Sequence, residues 1–177
     1  EIENDIFDIE FTPNRGDCLS VIGLLRDLNV FYDINFSKKK YEKDIDSFDL
    51  NFINNAKEDC QDISFLKIEV DGKFKNYEED LNDYFKLLDV KKNNFFTDIS
   101  NYVSYEMGQP THCYESNKIT GNICLEKSEV SCNFNTLLDK KIELSGSNLV
   151  FINQNKIINL AGVVGNKETS CSLTTNS

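Results

Sequence analysis

Tryptophan is absent from this chain of 177 residues, histidine occurs once, and proline occurs twice. One histidine, with six cysteines and no C-x-x-C pair among them, leaves a structural zinc site without its ligand spacing. Cys18, Cys60, Cys113, Cys124, Cys132 and Cys171 therefore read as free thiols, and no metal is expected. No apolar run reaches the ~18 residues of a membrane-spanning helix. The acidic start lacks the basic-then-apolar order of a signal peptide, so the expectation is a soluble, cytoplasmic protein with no membrane partner. A Walker-type phosphate loop and internal repeats are also missing. Basic residues are in short supply, 19 against 30 acidic ones for a net charge of −11. That balance excludes a domain holding nucleic acid by its own field, which needs clustered Lys and Arg. The lack of tryptophan beside abundant Asn, Lys, Asp and Ile reflects an AT-rich coding sequence more than chemistry.

Apolar residues make up 40 % of the chain, and its length suits one domain with an appendage and a real core. Residues 1–12 alternate, with Ile2, Ile6, Phe7, Ile9 and Phe11 among acids, and predict a short strand ending in the turn Thr12-Pro13-Asn14-Arg15-Gly16. Asp17 or Ser20 can cap a helix whose apolar stripe is Val21, Leu24, Leu25, Leu28 and Phe31, up to a break at Asp33-Ile34-Asn35. Arg15 and Asp17 read as fixing the start of that helix rather than as a polar site. Lys38-Lys39-Lys40 falls in a charged linker and reads as a solvated face. Alternation at Phe48, Leu50 and Phe52, and again at Leu66, Ile68 and Val70 before Asp71-Gly72, predicts strands, with Cys60 in the connection between them. Glu78-Glu79-Asp80 places acids at the start of a second helix, with Leu81, Tyr84, Phe85 and Leu88 on one face. Residues 123–130 and 141–144 read as strands, and residues 149–152, 153–155 and 157–164 as a hairpin. Gly162 and Gly165 would weaken its second strand unless a ligand or a packed helix approaches them closely.

The densest stretch is 97–115, which holds the histidine and one of the prolines. Ile99, Val103 and Met107 recur at spacing four, a helical face over about two turns, with Asp98 or Ser100 as the cap. Gly108 can close the helix in the left-handed conformation, and Pro110 cannot continue it. The polar residues gather at its ends, Ser100 and Asn101 before, Gln109 and His112 after. A reversal at Gly108-Gln109-Pro110 would bring them together around one concavity with Ala161 and Gly162. A lone histidine beside a turn proline is, on its own, more often structural than catalytic.

Three motifs carry a resemblance. The run Asp98-Ile99-x-Asn101-Tyr102-Val103-x-x-Glu106-x-Gly108-Gln109-Pro110-x-His112 resembles the signature of the bacterial phenylalanyl-tRNA synthetase beta subunit, in the domain carrying its hydrolytic editing site. Glu10-Phe11-Thr12-Pro13-Asn14-Arg15-Gly16-Asp17-Cys18-Leu19-Ser20-Val21-x-Gly23-Leu24-x-Arg26-Asp27-Leu28 is similar to the segment just before that domain, with Gly16 where the family usually has Pro. Leu160-Ala161-Gly162-Val163-Val164-Gly165 is similar to its small-residue strand facing the editing pocket, and Leu137-Leu138-Asp139 to its short turn over that pocket. Together they cover nearly the whole chain, in the family's order.

The resemblance implies an α+β fold: mixed β-sheets with helices packed on one side, preceded by a small helical piece. Residues 1–36 would be a strand-turn-helix piece belonging with another part of the beta subunit, 37–46 a linker, and 47–177 an editing-type domain cut short at its C-terminus. His112 and Asn101 would act in hydrolysis of the ester of tyrosine wrongly attached to tRNA(Phe). Ser100, Gln109, Pro110, Leu137, Ala161 and Gly162 would bind the substrate. Such a site needs a held water and donors for the carbonyl oxygen, and neither metal nor nucleophile. Tyrosine is best told from phenylalanine by a buried acceptor for its phenol. In the family that is a glutamate expected beyond Ser177, Glu168 being too close to Gly165. No cofactor is implied for this fragment; ATP and Mg2+ belong to other parts of the parent ligase. Implied partners are the remainder of the beta subunit, the alpha subunit in an α2β2 assembly, and the 3′ end of tRNA(Phe). Departures cluster near the site: Ser100 for Thr, Phe95-Phe96-Thr97 for smaller or polar residues, Cys113-Tyr114-Glu115 for Ala-Phe-Asp. They leave a second reading open and weigh toward it, a degenerate scaffold domain that only supports the subunit's assembly.

Overall fold

Proline and glycine punctuation near the start hands the chain over to a capped helix. In the computed structural model, which describes residues 2–3, 6–34, 43–71 and 77–177, β1 (Ile2–Glu3) pairs antiparallel with β2 (Ile6–Phe7). The single strand expected through residue 12 is thus replaced by a two-stranded ribbon, and residues 8–12 form no strand. Phe7 and Ile9 remain exposed, so the alternation has no covered face to sustain it. Arg15 N–H closes the turn on Thr12 O at 2.9 Å. Ser20 then caps α1 (Val21–Leu28), its Oγ accepting the Gly23 N–H at 2.9 Å. Arg15 bonds Asp17 at 3.0 Å and Asp27 at 2.7 Å, and Arg26 bonds Asp17 at 2.8 Å, so the turn is tied to the helix it starts. Asn35, Lys38-Lys39-Lys40 and Gly72 lie outside the described residues.

Two further helices follow, α2 (Glu79–Leu87) and α3 (Phe95–Met107). The second starts three residues before the expected Asp98, because Asn94 is its cap: Asn94 Oδ1 accepts the Thr97 N–H at 3.1 Å. Asp98 instead reaches back to the Asn93 N–H at 2.8 Å and takes the Tyr77 hydroxyl at 2.6 Å, with 2 % of its surface exposed. Phe95 stacks on Tyr77, ring centroids 6.5 Å apart, and meets Phe96 edge-on. Gly108 ends the helix as expected, at φ +69°, its N–H bonded to Ser104 O at 2.8 Å. A Cβ on Gly108 would lie 3.0 Å from Ser20 Oγ, which places the end of α3 against the cap of α1. These elements form one compact unit, of described residues up to 44 with 77–111.

The second unit, of described residues 45–71 with 112–177, is a five-stranded mixed sheet. Its strands are β3 (Phe52–Asn54), β4 (Ile123–Asn135), β5 (Lys141–Asn153), β6 (Lys156–Leu160) and β7 (Val164–Gly165), in that spatial order. β3 runs parallel to β4, and the other neighbours are antiparallel. The chain is α+β, as the sequence implies. β4 and β5 are each 13 residues long and pair along their full length, from Ile123 opposite Asn153 to Asn135 opposite Lys141. They outrun the expected strands because the polar Ser145-Gly146-Ser147 remains inside the ladder, Gly146 at φ +67°. The turn at Leu137-Leu138-Asp139 is present, with Thr136 N–H on Lys140 O at 2.8 Å. So is the hairpin at Gln154-Asn155, both at positive φ as a tight two-residue turn requires. Phe134, Leu144, Val150 and Leu160 form the core, covered by Val130, Ile142, Ile152, Ile157 and Val164.

Two expected strands fail. Residues 48–51 stay irregular, and residues 66–70 form no strand, though Val70 N–H reaches Asn176 O at 2.9 Å. Leu66 is 60 % exposed and Lys67 pairs with Glu69, so the alternation has no partner strand to bury its apolar side. Cys60 therefore follows β3 without leading into another strand.

Candidate functional site

The site residues expected from sequence fall in both units. Ser100, Asn101, Gln109 and Pro110 belong to the helical unit, and His112, Leu137, Ala161 and Gly162 to the sheet unit. In the helical unit the chain does reverse after Gly108. Thr111 Oγ1 donates to Ser100 O at 2.7 Å and contacts Ser104 Oγ at 2.7 Å, and Ser100 Oγ donates to Thr111 Oγ1 at 3.1 Å. Three hydroxyls thus line one side of the last turns of α3, while Gln109 and Pro110 stand exposed at the bend. Ser104 and Thr111 were missed in the sequence. Their spacing of four and seven from Ser100 and Ser104 marks a helix face followed by a fold-back, a signal readable only once the reversal is placed.

In the sheet unit, His112 lies directly on Gly165. A Cβ added to Gly165 would overlap Cε1 and Nε2 of the imidazole and stand 3.1 Å from Nδ1. Tyr114 meets the same ring edge-on, centroids 4.6 Å apart. Leu137 N–H donates to Gly165 O at 2.9 Å, which brings the 137–139 turn to the same strand end. Nε2 is buried without a hydrogen-bond partner, the one such side-chain atom among the described residues. Burial pushes the histidine pKa down from 6.5 to about 4, so the ring is neutral at physiological pH. A neutral imidazole carries one acceptor and one donor nitrogen and can take up or pass on a proton.

Gly165 is approached closely by the His112 ring. Gly162 has open space where a Cβ would point, and φ of +72°: it serves the turn that joins β6 to β7 rather than close packing. Ala161 N–H is held by Leu149 O at 3.0 Å, and the following Val163 is 79 % exposed. The segment expected as strand through Val164 is therefore a strand, a three-residue turn and a short return strand.

Among the described residues one group gathers metal-ligating atoms, Asp17, Cys18 and Asp27 within 4.8 Å of one another. The Arg15 guanidinium sits in it, bonding Cys18 Sγ at 2.8 Å and both carboxylates. It supplies the positive charge a cation would bring and holds the Asp17 carboxyl down at about 2. That cluster fixes the turn. No helix among the described residues is long and apolar enough to cross a membrane.

The histidine seated on the small-residue end of the mixed sheet lies within the stretch that one family model matches. The B3/4 domain matches residues 65–177, more than half of the chain, and the chain belongs to that family. It is homologous to phenylalanine-tRNA ligase beta subunits. The one from Ehrlichia canis is 32 % identical over 181 residues, and that from Psychrobacter arcticus 28 % over 173. Each alignment covers 96 % of this chain and 22 % of the relative. That from Rickettsia bellii is 30 % identical over 204 residues, covering 96 % and 23 %. The chain thus spans about a fifth of the length of the curated relatives it matches.

Proposed function

We propose that this chain is the part of a cytoplasmic phenylalanine-tRNA ligase beta subunit that clears tyrosine from tRNA(Phe). Residues 47–177 form the editing-type domain, and 1–36 belong with another part of the subunit. The observation that carries this reading is His112, neutral at physiological pH and holding a buried Nε2 without a partner. Buried polar groups are nearly always bonded, and an orphan is a common mark of a functional group awaiting its ligand. Its partner in the reaction is the attacking water or the ester; Asn101 and main-chain amides serve the carbonyl oxygen. To binding of the aminoacyl end we assign, from the resemblance, Ser100, Gln109 and Pro110 of the helical unit and Leu137, Ala161 and Gly162 of the sheet unit. Phe95 and Phe96, which weigh toward a degenerate domain in the sequence, pack with Tyr77 beside the start of α3 and so have a structural role of their own.

Net charge of −11 gives the chain no grip on a tRNA body, so the flexible 3′ end must be delivered by other parts of an α2β2 assembly. ATP and Mg2+ are used in those other parts. The second reading, a scaffold that only supports assembly, is favoured by one observation: Nε2 of the half-buried His112 is closed from solvent, with the ring against Gly165.

The test is deacylation of preformed tyrosyl-tRNA(Phe) by the assembled ligase. Clearance by wild type, with marked loss on His112→Ala and Asn101→Ala and with folding unchanged, supports editing. A wild-type assembly that leaves the ester intact refutes it in favour of the scaffold.

A further inference from the structure

The bond that turns an imidazole about its stem has a broad, roughly two-fold torsion, so a histidine ring left to itself swings both nitrogens through many settings. Two neighbours in the sheet unit restrict His112. On β7 the bare Cα of Gly165 leaves the ring its place, and a Cβ there would overlap Cε1 and Nε2. Tyr114 is the other: its ring meets the imidazole with centroids 4.6 Å apart and planes at 73°. Edge-on contact of this kind is a preferred geometry for aromatic pairs. Residues two apart in an extended segment share a face, and residues 111–115 form neither helix nor turn. The backbone just beyond is anchored. Glu115 N–H donates to Thr169 O at 3.0 Å, Ser116 N–H donates to Ser177 O at 2.9 Å, and the Glu115 carboxylate pairs with Lys118 at 2.8 Å. Tyr114 thus stands on a fixed segment, and burial pushes its phenol up, as befits a ring shielded from water.

We propose that Tyr114 is the positioning residue of His112: its ring, with the bare backbone of Gly165, holds the imidazole in one orientation and so keeps Nε2 aimed at one place. Its part in catalysis rests on the reading of His112 as the group that serves ester hydrolysis. A reacting group displaced by about 1 Å costs on the order of 10²-fold in rate, so a pinned ring matters more than a merely present one. The contact is made by the ring of Tyr114 rather than by its hydroxyl. Tyr114 also shields the imidazole. The charged groups on the surrounding segments are paired with one another, Glu115 with Lys118, Asp139 with Lys167, and Glu168 with Lys156. None of them accounts for the lowered basicity of His112, which comes from burial. Removing the aromatic ring therefore loosens the histidine and wets it in one step.

The experiment compares wild type, Tyr114→Phe and Tyr114→Leu, the last keeping apolar bulk without a planar ring. In the chain of residues 1–177, proton resonance follows the His112 titration. Tyr114→Phe should leave its midpoint in place, and Tyr114→Leu should raise it by about 1 unit or more toward the ordinary histidine value. In the assembled ligase, clearance of preformed tyrosyl-tRNA(Phe) should survive Tyr114→Phe and fall on the order of 10²-fold in kcat, with KM nearly unchanged, in Tyr114→Leu. A folded Tyr114→Leu whose His112 midpoint stays within about 0.3 unit of wild type overturns the proposal. So does a leucine variant that clears tyrosine as fast as wild type. A wild-type assembly that leaves the ester intact overturns the editing reading instead, and the titration then decides on its own whether Tyr114 places the ring. One measurement needs no variant to fold: cross-relaxation between the ring protons of His112 and Tyr114 in wild type, whose absence would also overturn the placement.

Discussion

A single methyl group at Gly165 tests the geometry around His112. Gly165 is not among the glycines at positive φ, so alanine fits its backbone, and the stiffer unfolded chain would stabilise the fold by about 0.4–1 kcal/mol. Against that, the new Cβ would overlap Cε1 and Nε2 of His112. Carbon atoms rest about 3.5–4.0 Å apart, so the ring must withdraw by roughly 1 Å or more. The strand cannot easily move instead, because Gly165 O accepts the Leu137 N–H at 2.9 Å and is buried. Overpacking of this kind costs about 1–3 kcal/mol, and the expected net loss for Gly165→Ala is about 1–2 kcal/mol. In a His112→Ala background the obstacle is gone, and the same substitution should be neutral or stabilising by a few tenths, a coupling of about 1–3 kcal/mol. Urea unfolding of the four proteins, followed by far-ultraviolet circular dichroism because no tryptophan is present, measures it as midpoint shifts at constant slope. Equal effects of Gly165→Ala in both backgrounds, within about 0.5 kcal/mol, would refute the packing of His112 on Gly165.

His112, as the only histidine, can be titrated without assignment: its Cε1–H resonance should move with a midpoint near 4, and a midpoint near 6.5 would end the argument from burial. Its folded pKa lies below the ordinary value, so the unfolded chain binds the proton first; stability is complete above about pH 6.5 and falls by about 1.4 kcal/mol per unit toward pH 4. Asp98→Ala removes the acceptor of both the Tyr77 hydroxyl and the Asn93 N–H and should cost about 3 kcal/mol, with Tyr77→Phe alone costing about 1. A loss below about 1 kcal/mol for Asp98→Ala in urea unfolding would show that the buried carboxylate does not fix the start of α3.

The sequence-based reading succeeded where one residue settles local geometry. Ser20 as a cap, Gly108 as a left-handed stop, the 137–139 turn and the Gln154-Asn155 hairpin each follow from a side chain or a φ value that no distant contact revises. It failed where alternation had to be matched by a partner. Leu66, Ile68 and Val70 have the period of a strand, yet a strand exists only as part of a pair, and the partner is set by chain far away in sequence. It also misjudged Asp98, whose acid suits a cap, because Asn94 lies one turn earlier and Tyr77 waits with a hydroxyl.

The motif of residues 98–112 sharpens this into a statement about the family resemblance. Read as a string, it looks like one site. In the structure its first part builds the helical unit: Asp98 bonds across to Tyr77, Gly108 ends α3 beside Ser20, and Thr111 returns to Ser100 and Ser104. Its last residue, His112, opens the final segment of the sheet unit and takes its environment from Gly165 and Tyr114. Most of the motif therefore answers to helix geometry, and substitutions there are read first as changes in stability. The histidine and the glycine beneath it answer to the sheet unit instead, so a variant at Gly165 that preserves folding but shifts the His112 titration would separate titration from stability. If ester hydrolysis in the assembled ligase follows that titration rather than the stability of α3, the histidine acts as a base; if it follows stability alone, the motif is architecture.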